Sequence, residues 1–162
     1  LYYKLIRGNV DTRIKKLKDG NYDAIILSKA GIEALNLNHK ITQEFTTDEL
    51  IPCAGQGIIA IQCRNDDIEI KKLLEDINDD QARILANTER EVLKVLEGDC
   101  DTAIGVFSKI DGDNINLSVE LFSVDGKKRF FEKDLTNKNL AKELGKKVGE
   151  VLKIKSEDSY KR

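Results

Sequence analysis

Ile115, Leu117, Val119 and Leu121 alternate without interruption with polar residues, between the turn signals Asp111-Gly112-Asp113-Asn114 and Val124-Asp125-Gly126-Lys127. Successive strand side chains point to opposite faces, so this two-residue period buries one face of a sheet and leaves the other in water. The glycine turns extend the strand into an antiparallel meander, with partners at Ala103 to Phe107 and from Arg129 to Phe131. Asn139 to Leu152 then places Leu140, Leu144, Val148, Val151 and Leu152 on one helical stripe. The polar residues 156–162 are expected to fray.

The first eighty residues carry a different pattern. Tyr2 to Ile6 reads as a strand, Arg7-Gly8-Asn9 as a turn, and Val10 to Lys18 as a helix capped by Asn9, with apolar residues at 10, 14 and 17. Asp19-Gly20-Asn21 breaks that helix. Tyr22-Asp23-Ala24-Ile25-Ile26-Leu27 reads as a buried strand, since a nearly continuous apolar run suits a parallel sheet covered on both faces. Ala30 to Leu37 reads as a short helix and Ile41 to Phe45 as a further strand, which completes a βαβ unit. The only proline, Pro52, opens a loop or crossing segment. Ile58 to Cys63 is strand-like, Asp67 to Ile77 an amphipathic helix, and Asp79 to Leu96 a longer helix with Ile84, Leu85, Leu93 and Leu96 on a face. The expected class is thus α/β plus α+β: residues 1–50 as half of a parallel α/β domain, 51–78 as a crossing segment, and 79–155 as a small α+β unit.

Composition narrows the partners. The chain has 162 residues and a net charge of -2, with 35% charged residues of mixed sign, so no basic field favours nucleic acid. No run is long enough for a membrane span, and no signal peptide opens the chain. Three cysteines, at 53, 63 and 100, argue against a disulfide scaffold and for the reducing cytoplasm. They contain no C-x-x-C pair, and His39 is the only histidine, so no metal site is expected. The chain has no methionine and begins Leu1-Tyr2-Tyr3 as though entered inside a strand, which reads as a fragment or processed product.

Three constellations could carry chemistry. Cys100 sits in Leu96-Glu97-Gly98-Asp99-Cys100-Asp101, on the connection between a helical pattern and a strand. Gly98 is expected to supply the left-handed conformation that closes the helix. A lone cysteine commonly serves as a small buried hydrophobe. Glu97, Asp99 and Asp101 raise a thiol pKa, so any covalent chemistry would need a very reactive electrophile. Arg7 ends a strand pattern and Arg13 lies in the first turns of the next helix, at the sheet edge where open α/β folds bind ligands. Two guanidinium groups there could clamp carboxylates or phosphates, or could be surface arginines paired with Asp11 or Asp19. Gly55-Gln56-Gly57 allows close backbone approach with a central amide, or is a plain loop. Asp66-Asp67 and Asp79-Asp80 read as helix N-terminal residues favoured by the dipole, not metal ligands.

Taken in order, Arg7-Gly8-Asn9-Val10-Asp11-Thr12-Arg13, Tyr22 to Leu27 with Ala30-Gly31, Gly55-Gln56-Gly57 and Leu96-Glu97-Gly98-Asp99-Cys100 resemble the C-terminal part of the porphobilinogen deaminase (hydroxymethylbilane synthase) family. That resemblance implies a transferase of tetrapyrrole (heme) biosynthesis, which joins four porphobilinogen units head to tail into hydroxymethylbilane with loss of ammonia. It implies a covalent dipyrromethane cofactor, held by a thioether at Cys100. Arg7 and Arg13 would bind acetate and propionate carboxylates, Ser28 and Gly31 would line the pocket through their backbone, and Gln56 would contact the pyrrole chain. The implied fold is half of a periplasmic-binding-protein-like doubly wound domain, a segment returning through a first domain, and a three-stranded antiparallel sheet with helices on one face. A cytoplasmic monomer is implied as well.

The sequence departs from the family pattern at Asp99, where a second glycine is usual, at Asp101-Thr102-Ala103, and at Ala34, where a basic residue is frequent. The family's catalytic aspartate would precede Leu1, so the isolated chain is expected to be inactive. Two other readings remain: a non-catalytic anion- or carboxylate-binding module of periplasmic-binding type, and a degenerate or regulatory homologue.

Overall fold

A computed structural model describes residues 2–98 and 101–161. The chain divides after Phe45 into two compact units, and the stretch from Thr46 through residue 78 goes with the second.

The second unit is built on the meander. Strands β1 (Ile104–Asp111), β2 (Asn114–Phe122) and β3 (Arg129–Asn137) pair antiparallel in the order β1-β2-β3. Ile110 faces Ile115, and Phe122 faces Arg129, across the two tight turns. Ile115, Leu117, Val119 and Leu121 on the central strand are completely buried, which is the face selected by the two-residue period. Helix α4 (Asp80–Leu96) and helix α5 (Ala141–Ser156) contribute Val92, Leu96, Leu144, Val148 and Leu152 to the same core.

Glycine lets these helices approach. A Cβ on Gly145 would lie 2.4 Å from the Thr88 carbonyl oxygen, and one on Gly149 would lie 2.9 Å from the Val95 Cβ. The two glycines, four apart and so on one side of α5, form the contact with α4. Asp79 caps α4 by accepting from the Gln81 and Ala82 amides, and Asp67 caps α3 (Ile68–Glu75) by accepting from the Ile70 amide. Those aspartates are thus structural.

The tail does not fray. After α5, Glu157 and Asp158 both adopt left-handed conformations (φ 49° and 55°) and reverse the chain. Tyr160 is only 4% exposed and joins the core, so the segment expected to fray is anchored there, while Glu157, Asp158 and Lys161 stay exposed.

The first unit holds α1 (Val10–Lys18) and α2 (Lys29–Glu33), with a 3-10 turn over Asn38–Lys40. Asn9 occupies the N-cap position of α1, but its side chain makes no capping bond. The helix expected over 30–37 stops at Glu33, where Asn36 turns left-handed (φ 55°). The strands expected at 2–6, 22–27, 41–45 and 58–63 form no ladder among the described residues, whose one sheet is the antiparallel meander. Tyr2, Leu5, Ile26 and Ile59 are 101%, 77%, 69% and 89% exposed. A strand needs hydrogen-bonded neighbours, and an apolar run predicts burial only where such neighbours exist. No helix among the described residues is long and apolar enough to cross a membrane.

The Gly145 contact gives a signed prediction. In an open helix Gly→Ala is stabilising by roughly 1 kcal/mol. Here the added methyl meets backbone, and overpacking of this kind costs about 1–3 kcal/mol. Gly145→Ala should therefore lower stability in urea denaturation; a gain would mean the helices can separate freely.

Candidate functional site

In the first unit the turn carrying Arg7 is pinned to α1 by side chains. Arg13 Nε donates to the Gly8 carbonyl at 2.7 Å, and Lys16 Nζ donates to the Arg7 carbonyl at 2.8 Å. Gly8 takes φ 121°, and a Cβ there would lie 2.8 Å from the Thr12 Cγ2, so the turn accepts glycine alone. Arg7 is exposed and Arg13 half-buried. Neither guanidinium has a carboxylate within ion-pair distance among the described residues. The expected surface pairs with Asp11 or Asp19 do not form. Guanidinium groups on residues flanking and opening a helix are of a kind that binds carboxylates or phosphates.

Ser28 sits at the N-cap of α2, exposed, with its carbonyl accepting from the Gly31 and Ile32 amides at 3.2 and 3.3 Å. A Cβ on Gly31 would meet the Val10 Cγ2 at 3.3 Å, so Gly31 brings α2 against the first residue of α1. Arg7, Arg13, Ser28 and Gly31 thus lie within one unit, around the start of α1. Ala34 follows the last residue of α2 and brings no charge to it.

Gln56 belongs to the second unit. It is exposed at the tip of a turn in which Gly55 and Gly57 both take positive φ (73° and 84°). That turn is held from below by a residue the sequence reading passed over. Glu89, 5% exposed on α4, accepts from the Gly55 amide at 2.7 Å through Oε2. Its Oε1 accepts from the Ser108 amide at 2.9 Å and the Ser108 hydroxyl at 2.8 Å. Two residues earlier on β1, the Val106 amide donates to the Pro52 carbonyl at 2.8 Å. The outer edge of β1 is therefore satisfied by Pro52 and Glu89, and Gly105 admits the chain at Ile51, whose carbonyl would lie 2.6 Å from an added Cβ. The available signal was a carboxylate on the apolar stripe of α4, in register with Leu85, Val92 and Leu96.

Cys100, with Asp99, lies outside the described residues. Its flanks are fixed. Helix α4 closes with Glu97 in the left-handed conformation (φ 54°), so Glu97 and not Gly98 supplies that turn. On the far side, the Phe122 amide donates to the Ala103 carbonyl at 3.0 Å. The Glu97 carboxyl is held below its ordinary range, first by Lys161 and then by Lys153. The other two thiols, Cys53 (exposed) and Cys63 (half-buried), are free.

The first unit thus carries two arginines without carboxylate partners at the start of α1, and the second carries Cys100, in sequence, between α4 and β1. The description "Porphobilinogen deaminase, dipyromethane cofactor binding domain" matches residues 1–72, and "Porphobilinogen deaminase, C-terminal domain" matches residues 83–154. A probable porphobilinogen deaminase of Nitrosopumilus maritimus is 41% identical over 152 residues, covering 94% of this chain and 49% of the relative. The Coxiella burnetii porphobilinogen deaminase is 38% identical over 159 residues, covering 98% of this chain and 52% of the relative. That of an Exiguobacterium strain is 42% identical over 123 residues, 75% of this chain and 40% of the relative. The chain belongs to the porphobilinogen deaminase family. It spans about half the length of the curated relatives it matches.

Glu89→Gln keeps the shape but turns one acceptor into a donor facing a donor. Leaving a buried hydrogen-bonding group unsatisfied costs about 1–3 kcal/mol. The variant should lose stability in that range and speed exchange of the Gly55 amide. Wild-type values for both would remove Glu89 from its place under the loop.

Proposed function

We propose that this chain is the C-terminal half of a cytoplasmic porphobilinogen deaminase, a transferase that joins four porphobilinogen units head to tail into hydroxymethylbilane with release of ammonia. The observation that carries the proposal is the pair of arginines at the start of α1, Arg7 on the turn before it and Arg13 within it, without carboxylate partners among the described residues. Pyrrole rings bearing acetate and propionate groups are polyanionic, and this donor set fits them. Family membership gives the pair its ligand; charge alone would not distinguish carboxylate from phosphate.

Each residue then has a task. Arg7 and Arg13 bind side-chain carboxylates of cofactor or substrate rings. Ser28 and Gly31 shape the pocket wall, since a side chain at Gly31 would push α2 off α1. Gln56 presents its amide to the pyrrole chain from the turn that Glu89 supports. Cys100 is the attachment point for dipyrromethane, the group the matching family description names. When bound, the dipyrromethane supplies the primer on which the product is assembled.

The catalytic aspartate of the family is assigned to the part of the relatives that this chain does not span. The same part is assigned as the source of ladder partners for residues 2–6, 22–27 and 58–63, which would complete doubly wound, periplasmic-binding-like sheets. A stand-alone anion-binding module is the less favoured reading, since both halves of the chain match one enzyme family.

Two measurements test this. The isolated chain should consume no porphobilinogen, whereas the chain co-expressed with the complementary half of the Nitrosopumilus maritimus relative should consume it. In that pair Arg7→Leu should leave the melting temperature unchanged, because its guanidinium is exposed. Loss of a charge-assisted hydrogen bond, about 1.5–3 kcal/mol, should lower kcat/KM by about tenfold to a hundredfold. An unaltered kcat/KM would remove Arg7 from substrate binding, and turnover by the chain alone would contradict the half-enzyme reading.

A further inference from the structure

We propose that Ser159, Tyr160 and Lys161 form a latch that positions the end of α4, and through it the segment carrying Cys100. Its functional consequence rests on the assignment of Cys100 made above; the latch itself does not.

The last carbonyls of a helix have no partner within it. At the end of α4 four successive carbonyls are satisfied, in two different ways. Backbone closure supplies two: the Gly98 amide donates to Leu93 at 3.0 Å and the Glu97 amide to Lys94 at 3.2 Å. The C-terminal region supplies the others: Lys153 Nζ donates to the Val95 carbonyl at 3.3 Å, and the Tyr160 hydroxyl to the Leu96 carbonyl at 2.9 Å. A helix ending in water would leave these carbonyls to solvent. This one is closed by the opposite end of the chain.

The turn residue is held too. Glu97 takes a left-handed conformation that favours glycine, although glycine is its neighbour. What a glycine could not do is pair with cations. The Glu97 carboxylate accepts from Lys161 Nζ at 2.8 Å and Lys153 Nζ at 3.3 Å. Lys161 is in turn bridged to Asp158 at 3.1 Å. The tail is anchored at its other side, where the Val124 amide, in the β2–β3 turn, donates to the Ser159 carbonyl at 2.9 Å. Glu157 and Asp158, both left-handed, set the reversal that returns the chain to α4. Consecutive left-handed non-glycine residues persist only where the surroundings over-determine them.

The segment from Gly98 to Ala103 therefore leaves one fixed point and reaches another, the latter set by the Phe122–Ala103 hydrogen bond. Freeing the first point would loosen the start of the connection that leads to Cys100, and a reacting group whose anchor is less firmly held reacts less efficiently.

Tyr160→Phe keeps the ring in the core and removes only the hydroxyl; Lys161→Glu reverses the charge, and Lys161→Arg restores it. Exchange of the Gly98 amide reports the latch, with the Val92 amide in mid-α4 as control. The fraction of chain carrying a two-pyrrole mass increment, after co-expression with the complementary half in a porphobilinogen-producing host, reports the consequence. The latch predicts Gly98 exchange faster by about tenfold in Tyr160→Phe and Lys161→Glu, recovery in Lys161→Arg, and unchanged Val92. The increment should fall in parallel and return with Lys161→Arg. Unchanged Gly98 exchange, or equal acceleration at Val92, overturns the latch. Faster Gly98 exchange with an unchanged increment overturns its role in attachment. A wild-type chain with no increment but the expected exchange pattern overturns the Cys100 assignment and leaves the latch standing.

Discussion

The carboxylate of Glu89 stands where a neighbouring strand would otherwise be. The outer edge of β1 exposes the amides of Val106 and Ser108; Pro52 takes the first and Glu89 the second, while the other oxygen of Glu89 takes the Gly55 amide. One buried side chain on α4 thereby closes the sheet edge and fixes the turn that presents Gln56. An unpaired buried carboxylate is costly, and three donors meet that cost here. The arrangement also explains why the chain from Thr46 onward goes with the second unit, since its loop is bonded to α4 and β1.

The contact between α4 and α5 sets the other boundary of the Cys100 segment. Gly145 and Gly149 allow close approach along the helices, and the same approach brings Lys153 and Tyr160 to the last carbonyls of α4. Packing and the closure of α4 are consequences of one pair of helices. In the first unit the equivalent work is done by cations: Arg13 and Lys16 hold the backbone around Arg7 and leave the Arg7 guanidinium outward.

Much of the second unit was legible in the sequence because its signals are local. The alternation at 115–121, the glycine turns and the stripes of two helices each specify a buried face without reference to distant residues. Besides the absent strand at 58–63, the end of α4 and the C-terminal residues differ there from the expectation. Gly98 was the obvious helix stop, but the ion pairs on Glu97 stabilise the left-handed turn one residue earlier. The polar ending Glu157-Asp158-Ser159-Tyr160-Lys161 resembled a frayed tail, but its lone aromatic is a core residue with a hydroxyl partner. The apolar runs at 22–27 in the first unit and 58–63 in the second marked segments suited to burial, and the exposure of Ile26 and Ile59 shows that ladder partners are not a local property. Of the candidate site, Arg13 lies in the helix expected after Arg7 but the strand expected before Arg7 does not form, Gln56 sits on a supported loop, and the contacts of Glu89 emerged only in three dimensions.

The central claim is that this family member carries its cofactor on Cys100, and intact mass tests it most directly. The chain would be co-expressed with the complementary half in a host that makes porphobilinogen, beside Cys100→Ser. The account expects a mass increment of two pyrrole units on the chain, absent from the variant. An unmodified wild-type chain, or an increment retained by Cys100→Ser, would contradict it.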